Sequence, residues 1–376
     1  MGAKLLGIWN DFRQPLFKPY ITAQNYNMNI LLLWPFIHPN LYPVLVSFKE
    51  YGFNVTLVIE NEPKTIYEIP SKKIYVTASS IDNDSQFIKD IKPDFVLVRK
   101  RSPKFINILK ISKVFGAQTY LFDLRACNTR SPRKYISRIL KNISDYYKTG
   151  EFKMMSPVRG NGVRMPFSYY LPFPTNCNKY NINRTYLPGG IPQIMVCGKL
   201  FHPRKRMDWV LNAIQHLNIK CKIVIVGASL KDDSMYTLEQ KLCYENIIKL
   251  VSKSYKNIEV VLIENCNHDR MFDLYNSSDV FVLPASGEPL GISPLEAMSC
   301  GCSVLVSDKS GIASYVTVGK TGFLFKENSY EDFKSKLKLL LDTTQIIQRG
   351  SSARQSVVSN YSSSAFIQSF QEIIKK

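Results

Sequence analysis

Apolar residues in this chain gather into short dense runs, with stretches of helical spacing between them. Met28 to Trp34 (Met-Asn-Ile-Leu-Leu-Leu-Trp) is the first run that predicts a buried strand. A helical pattern follows through Tyr42 to Tyr51, Gly52 ends it, and Phe53 to Ile59 predicts a second strand. Strand, helix, strand is the unit from which parallel sheets are built. Further strands are expected at Lys73–Val76, Phe95–Val98 and Thr119–Phe122, with helices near 84–91 and 103–115. Val158 to Asn178 is irregular and rich in Gly, Pro and Asn, which marks the end of a first domain, and a linker runs on to Gly190. Gln193 to Gly198 then starts a second series, with strands at Lys222–Val226, Ile258–Ile263, Asp279–Leu283, Ser303–Val306 and Gly322–Phe325. Helices are expected between them near 206–217, 234–254, 269–277, 293–300 and 331–341, and a last amphipathic helix near Ser364 to Lys375. Strict alternation predicts an α/β fold with parallel sheets covered on both faces. The expected division is a first domain at 1–185, a second at 186–360, and a C-terminal helix at 361–376 able to pack on either domain, back on the first included.

One stretch of the second series is punctuated with unusual explicitness. The strand ending at Leu283-Pro284 and the strand starting at Cys302-Ser303 flank Gly287-Glu288-Pro289-Leu290-Gly291-Ile292-Ser293-Pro294-Leu295-Glu296-Ala297-Met298-Ser299-Cys300-Gly301. Ser293 is expected as N-cap, Pro294 at the first helical position, Glu296 as the capping-box partner and Gly301 as the stop. Sheets of this type bind ligands beyond the carboxyl ends of their strands.

Composition is that of an ordinary globular protein, at 45% hydrophobic and 21% charged residues, with length enough for two cores. No apolar run is long enough to cross a membrane, and the apolar patch from Leu5 to Trp9 is cut short by Asn10, Asp11 and Arg13, so it lacks a secretory core. The eight cysteines form no Cys-x-x-Cys pair, and Cys197, Cys221 and Cys302 sit in strand-like runs as small buried hydrophobes. A reducing, cytoplasmic compartment is the expectation.

Charge changes the picture more. The net charge is +19, yet residues 1–190 hold 27 Lys and Arg against 12 Asp and Glu, while the remainder holds 22 against 18. Arg99 to Arg164 alone carries 16 basic and 3 acidic residues. The first half therefore expects an anionic partner: a membrane surface, a phosphorylated acceptor or nucleic acid. The helix at Ser131 to Tyr147 concentrates this charge. Ile136, Ile139, Leu140, Ile143, Tyr146 and Tyr147 recur at helical spacing, and Arg133, Lys134, Arg138, Lys141 and Lys148 occupy most of the remaining arc. Two readings stay open: a helix packed on its own sheet with a solvated basic face, or a helix lying in an anionic membrane interface on the inner face of a membrane.

Three motifs lie where strands of the second series end. Gly198-Lys199-Leu200-Phe201-His202-Pro203-Arg204-Lys205-Arg206 puts several cations at a sheet edge, which suits a diphosphate or a solvated surface. Val226-Gly227-Ala228 permits a tight turn or close ligand approach, but the full Gly-x-Gly-x-x-Gly fingerprint of dinucleotide enzymes is absent. Glu288 and Glu296, with seven residues between them, form the third.

These motifs, with Tyr275 to Pro284 before them and Gly319-Lys320-Thr321-Gly322-Phe323-Leu324 after, resemble the Glu-x7-Glu signature of retaining GT-B glycosyltransferases of family 4, the group 1 glycosyl transferases. The resemblance is strong over 192–326 and weak before it. The Gly198 segment departs from the family's phosphate motif by a lysine for arginine and one extra residue. The resemblance implies two Rossmann-like domains with parallel sheets facing across a cleft, the donor on the second and the acceptor on the first. It implies that Glu288 contacts the donor sugar and Glu296 the ribose, and that Lys199 and Lys205 hold the diphosphate as it leaves. Gly198, Gly227, Pro289, Leu290, Gly291, Ile292 and Ser293 would line the donor site, with backbone N–H groups from Leu290 to Ser293 facing the phosphates. Glu264, Asn265 and Cys266 would meet the nucleobase. The donor would be a UDP-sugar or GDP-sugar, the acceptor a carbohydrate or lipid-linked molecule, and no metal or other cofactor is expected.

The first half departs from the family. Trp34-Pro35-Phe36-Ile37-His38-Pro39 replaces a glycine-rich turn, and Phe122 stands where many members place a histidine. His38, Asp123 and Arg125 remain as acceptor-side candidates. Asp82-Asn83-Asp84 has the form of a manganese motif but sits in a polar loop, where it is expected to cap a helix. Other readings are a non-catalytic nucleic-acid-binding or sugar-nucleotide-binding protein, or a transferase acting on modified DNA bases. No recognised nucleic-acid module is present, so no stable nucleic-acid partner is expected.

Overall fold

The computed structural model describes residues 27–37, 41–60, 75–180, 190–230, 235–267 and 269–375. The first half contains β1 (Asn29–Trp34), α1 (Tyr42–Glu50), β2 (Asn54–Ile59), β3 (Tyr75–Thr77), α2 (Asp84–Ile91), β4 (Phe95–Val98) and α3 (Pro103–Val114). It continues through β5 (Gln118–Phe122), β6 (Asn128–Thr129), α4 (Pro132–Thr149), β7 (Met154–Ser156), β8 (Val163–Arg164) and β9 (Ser168–Tyr170). Seven of these strands form a parallel sheet in the order β3-β2-β1-β4-β5-β7-β9. The short β6 and β8 pair antiparallel beside it.

The second half contains β10 (Gln193–Lys199), α5 (Asp208–Leu217), β11 (Cys221–Ala228), α6 (Leu238–Val251), β12 (Ile258–Glu264), α7 (Met271–Asn276) and β13 (Val280–Leu283). Then come α8 (Ser293–Ser299), β14 (Ser303–Ser307), β15 (Gly322–Phe325), α9 (Tyr330–Leu340), α10 (Ile346–Tyr361) and α11 (Ser363–Ile374). Its six strands are parallel in the order β12-β11-β10-β13-β14-β15. The central strands are almost fully buried, as their unbroken Ile, Val and Leu content requires of a sheet covered on both faces. Two Rossmann-like domains result.

Local chemistry sets the helix ends. Asn83 accepts hydrogen bonds from the Ser85 and Gln86 amides and caps α2, so Asp82-Asn83-Asp84 opens a helix. Ser131 caps α4 through the Lys134 amide, Pro132 follows it, and Gly150 ends the helix at φ 75°. Several stretches differ from the sequence pattern, the short strands β6 and β7 among them. The irregular region expected from Val158 contains β8 and β9, strands of two and three residues that only pairing with neighbours defines. The pattern also gives no helix at 346–361, because Gly350-Ser351-Ser352 is a poor helix former. Tertiary contacts decide it: Arg349, Ala353 and Val357 of α10 are buried, and the Arg349 guanidinium donates to the Leu340 carbonyl at 2.8 Å.

The halves are tied together by side chains from both. The buried Tyr315 hydroxyl donates to the Pro157 carbonyl at 2.7 Å and accepts from the Phe173 amide at 3.0 Å. The Arg354 guanidinium of α10 donates to the Tyr180 and Ser299 carbonyls. Beyond it, α11 crosses to the first half and packs on α1, where Phe370 meets Phe48, Phe53 and Phe95 with ring centres 4.8 to 5.9 Å apart. Phe370 is fully buried, so Phe370→Ala leaves a cavity and lowers unfolding stability by about 3–5 kcal/mol, measured by urea denaturation of the full chain.

Candidate functional site

In the second sheet, β10 and β13 are neighbours, yet the chain leaves β10 toward β11 on one side and β13 toward β14 on the other. Their carboxyl ends therefore open a crevice that no crossover fills. The loop after β10, with a short 3-10 turn at Pro203–Lys205, and the loop after β13 both face it.

These two loops are bonded to each other. Lys205 Nζ and Glu288 Oε2 are 2.7 Å apart, with 19% and 15% of their side chains exposed. Arg204 donates to the Gly287 carbonyl at 2.7 Å, and its own carbonyl accepts from the Ser286 amide at 2.9 Å. The Gly287 amide donates to Glu327, and the Gly311 amide to the Glu288 carbonyl. Gly287 and Gly291 both have positive φ, so the backbone turns back on itself at Glu288. Gly311 admits no side chain, because a Cβ there would collide with the Pro289 carbonyl.

A cavity of about 460 Å³ opens over this junction and is lined by Gly198, Lys199, His202, Lys205, Gly227, Asn265, Cys266 and Glu288 among others. Lys199 is exposed, its ammonium 5.9 Å from the Phe201 ring. His202 turns its imidazole inward, and burial, then Arg204, Lys205 and Lys199, lower its pKa below the ordinary histidine value. Its Nδ1 is buried with no hydrogen-bond partner among the described residues. Gly227 is required by packing, since a Cβ would strike the Gly198 carbonyl and Leu200 across the strand pair. A larger hollow of about 680 Å³ lies at the amino edge of the first sheet, by Met28, Asp94 and Gln118, away from the strand ends where such sheets bind ligands.

The expected capping box at Ser293 does not form. Ile292 is already helical at φ −82° and ψ −32°, and the Glu296 amide bonds to the Ile292 carbonyl at 3.1 Å. A side-chain cap needs an extended residue at that position, which this approach does not supply. The Glu296 carboxylate instead accepts from the fully buried Tyr275 hydroxyl at 2.9 Å. Burial, then Glu296, raises the Tyr275 pKa well above its ordinary value, so the hydroxyl stays a donor. Tyr180 is raised for the same reasons. Leu290 and Ile292 are buried between the two glutamates while Pro289 beside them is exposed, and Gly301, at φ 81°, ends α8.

At the end of β12, Asn265 adopts φ 50° and bonds through its amide nitrogen to Ser229 Oγ at 2.6 Å. Asn265 and Cys266 line the cavity, whereas Glu264 accepts from the Tyr244 hydroxyl at 2.6 Å. On the first sheet, His38 lies outside the described residues. Asp123 and Arg125 are bonded to each other: Asp123 accepts from the Arg125 amide and from its Nε, both at 2.8 Å. Arg125 also reaches the buried Asp145 at 2.9 Å, and Arg101 lies 3.4 and 3.6 Å from the same two carboxylates. Burial would raise the Asp123 carboxyl, but Arg125 and Arg101 outweigh it and hold it below its ordinary value. Among the described residues, no group of three or more His, Cys, Asp or Glu side chains is placed to hold a metal ion.

Residues 183–355 match the family of glycosyl transferases group 1. The matched region contains every residue of the cavity and both glutamates. Among curated proteins, the chain is 37% identical over 111 residues to the sulfoquinovosyl transferase SQD2 of Arabidopsis thaliana, covering 28% of this chain and 21% of that one. It is 32% identical over 111 residues to the alpha-maltose-1-phosphate synthase of Mycolicibacterium smegmatis, 28% of this chain and 29% of the other. The chain thus spans well under half the length of these two relatives. Among solved structures, a glycosyltransferase from Rickettsia africae superposes with TM-score 0.64 at 17% identity over 93% of this chain and 98% of the other. Anabaena HepE in complex with UDP and glucose superposes with TM-score 0.66 at 14% identity over 92% and 99%. The fold is GT-B.

Sequence reasoning missed Tyr275 as the partner of Glu296, and Gly311 and Glu327 as supports of the Glu288 loop. Nothing local signals them, since each is distant in sequence from the group it holds. Arg204 and His202 stood inside the Gly198 motif, but only as part of a charge run.

Proposed function

We propose that this chain transfers a sugar from a nucleoside diphosphate sugar, a UDP-sugar or GDP-sugar, to a carbohydrate or lipid-linked acceptor, with retention at the anomeric carbon. The observation that carries the reading is the pairing of Lys205 with Glu288 across the β10 and β13 loops, inside a cavity otherwise rich in cations. A diphosphate fits that set, and among the described residues Glu288 is the one carboxylate lining it, able to accept from sugar hydroxyls. The match of residues 183–355 to group 1 glycosyl transferases supports it.

In this reading, Lys199 and Lys205 hold the diphosphate, aided by backbone N–H groups from Leu290 to Ser293 where the chain enters α8. Glu288 orients the donor sugar. Glu296, fixed by Tyr275, accepts from ribose hydroxyls, and Asn265 and Cys266 border the base. The bond between the anomeric carbon and the phosphate oxygen breaks, and the acceptor oxygen bonds to the same face of that carbon. The acceptor proton passes to the departing phosphate. The protein's main contribution is electrostatic: fixed cations meet charge as it develops on the leaving group. The donor occupies the second domain and the acceptor the first, near Asp123 and Arg125, with the division close to residue 185. No metal takes part in this scheme.

Two outcomes follow. Glu288→Ala removes one partner of a mostly buried ion pair, which costs about 3 kcal/mol of stability, and a circular dichroism spectrum like that of wild type checks that the chain stays folded. Release of nucleoside diphosphate from donor sugars, measured by a coupled assay, falls at least about 100-fold in that variant; turnover equal to wild type would sink the assignment. A diphosphate ester beside His202 stabilises its protonated form, so binding takes up a proton. Donor affinity therefore rises as pH falls from about 8 to about 6, and calorimetric titration of His202→Gln gives a flatter profile.

A further inference from the structure

The helix α4 is turned the opposite way from an ordinary surface helix. Its inward face is polar: Asn142, Asp145 and Thr149 are its buried residues. Arg138, half-buried beside them, donates to the Ala126 carbonyl at 2.8 Å. Ile136, Leu140, Ile143 and Tyr147 recur at steps of four, three and four, which places them about 150° around the helix from that inward face. They stand in solvent, with Ile136 at 60%, Leu140 at 62% and Tyr147 at 82% exposure. The apolar row continues onto the segment that follows the helix. Tyr146 stacks on Phe152 at 3.9 Å, and Phe152 on the exposed Phe167 at 5.4 Å.

The surroundings are almost purely cationic. Between Arg99 and Arg164 the 16 basic residues face 3 acidic ones, and each of those three is committed internally. Asp123 pairs with Arg125 and Arg101, Asp145 with Arg125 and Lys141, and the buried Glu151 with Lys113. Arg130, Arg133, Lys134 and Lys148 are exposed around α4.

We propose that the outward face of α4, with the Tyr146–Phe152–Phe167 row, docks on an anionic lipid membrane. An exposed apolar row of this size marks an interaction site. A second copy of the chain would bring two strongly positive faces together, and like charge opposes that. Nucleic acid would satisfy the cations, but its phosphate backbone offers nothing to Ile136, Leu140 and Ile143. A membrane interface satisfies both: aliphatic side chains enter the acyl boundary, tyrosines sit at headgroup level, and Lys and Arg meet anionic headgroups. The helix starts just beyond the carboxyl end of β5, the edge that carries Asp123 and Arg125, so docking brings that edge to the bilayer surface. The inference stands on the surface alone and holds whether or not the glycosyl-transfer reading does.

Flotation of the full chain tests it. The protein floats with vesicles of phosphatidylglycerol and phosphatidylcholine and stays behind with phosphatidylcholine alone. Leu140→Glu/Ile143→Glu alters only exposed positions, so its melting temperature is unchanged while its vesicle partition falls at least roughly tenfold. Lys134→Ser/Lys148→Ser weakens flotation and makes what remains less sensitive to salt. Failure of wild type to float on anionic vesicles overturns the proposal, as does flotation of the Leu140→Glu/Ile143→Glu variant equal to wild type. Salt-sensitive DNA binding without vesicle binding also overturns it, and reassigns the face to nucleic acid.

Discussion

The arrangement depends on one topological constraint: β10 and β13 lie side by side while their connections leave in opposite directions. Parallel pairing forces both strands to end at the same edge, so the loops after Lys199 and Leu283 have to meet there. What meets is a run of cations from one loop and a carboxylate from the other. Without Glu288, Lys205 would share that edge with Lys199, Arg204 and Arg206 uncompensated. Coulomb repulsion between such charges is only about 1 kcal/mol per pair in water but several times more in a partly dried crevice. The Lys205–Glu288 pair and the Arg204 bond to Gly287 relieve this and fix the geometry of the loop.

The same constraint separates the two glutamates. Glu288 stands on a turn that requires two positive-φ glycines, and the Gly311 contact allows that turn to pack. Glu296 stands one helical turn deeper and is gripped by buried tyrosines that cannot ionise near neutral pH. Glu296 is half-buried, and the bonds from neutral O–H donors offset the cost of taking its carboxylate partly out of water. On the first sheet the acids have another use. Asp123 and Asp145 neutralise Arg101 and Arg125 internally, leaving the outer surface to unopposed cations.

Much of this was legible in the sequence, for physical reasons. Dense Ile and Val runs that stop at Gly or Pro specify buried parallel strands, and Asn83 marks a helix start by a side chain able to hold backbone amides. The Gly198 and Glu288 segments followed because ligand sites of such sheets lie at strand ends. Other features were not legible. The Ser293-to-Glu296 spacing resembles a capping box, but whether one forms depends on the backbone of Ile292, which the sequence does not display. Helix α10 exists because its neighbours bury Arg349 and Ala353, against the propensity of Gly350-Ser351-Ser352. The stripe on α4 was plain, but periodicity says only that one face is apolar. That the polar face turns inward follows from Asp145 meeting Arg125, twenty positions away.

The account's central claim is that the crevice between β10 and β13 is a nucleoside diphosphate site. Thermal melting of the full chain with UDP, GDP, ADP and inorganic phosphate, beside Lys205→Met, measures this most directly. A ligand at 100 times its dissociation constant stabilises the native state by about 2.7 kcal/mol, which a melting curve resolves easily. The account predicts that one nucleoside diphosphate raises the melting temperature of the wild type, that inorganic phosphate does not match it, and that Lys205→Met largely loses the effect. No stabilisation by any of the three nucleotides, or a shift that survives intact in Lys205→Met, would contradict it.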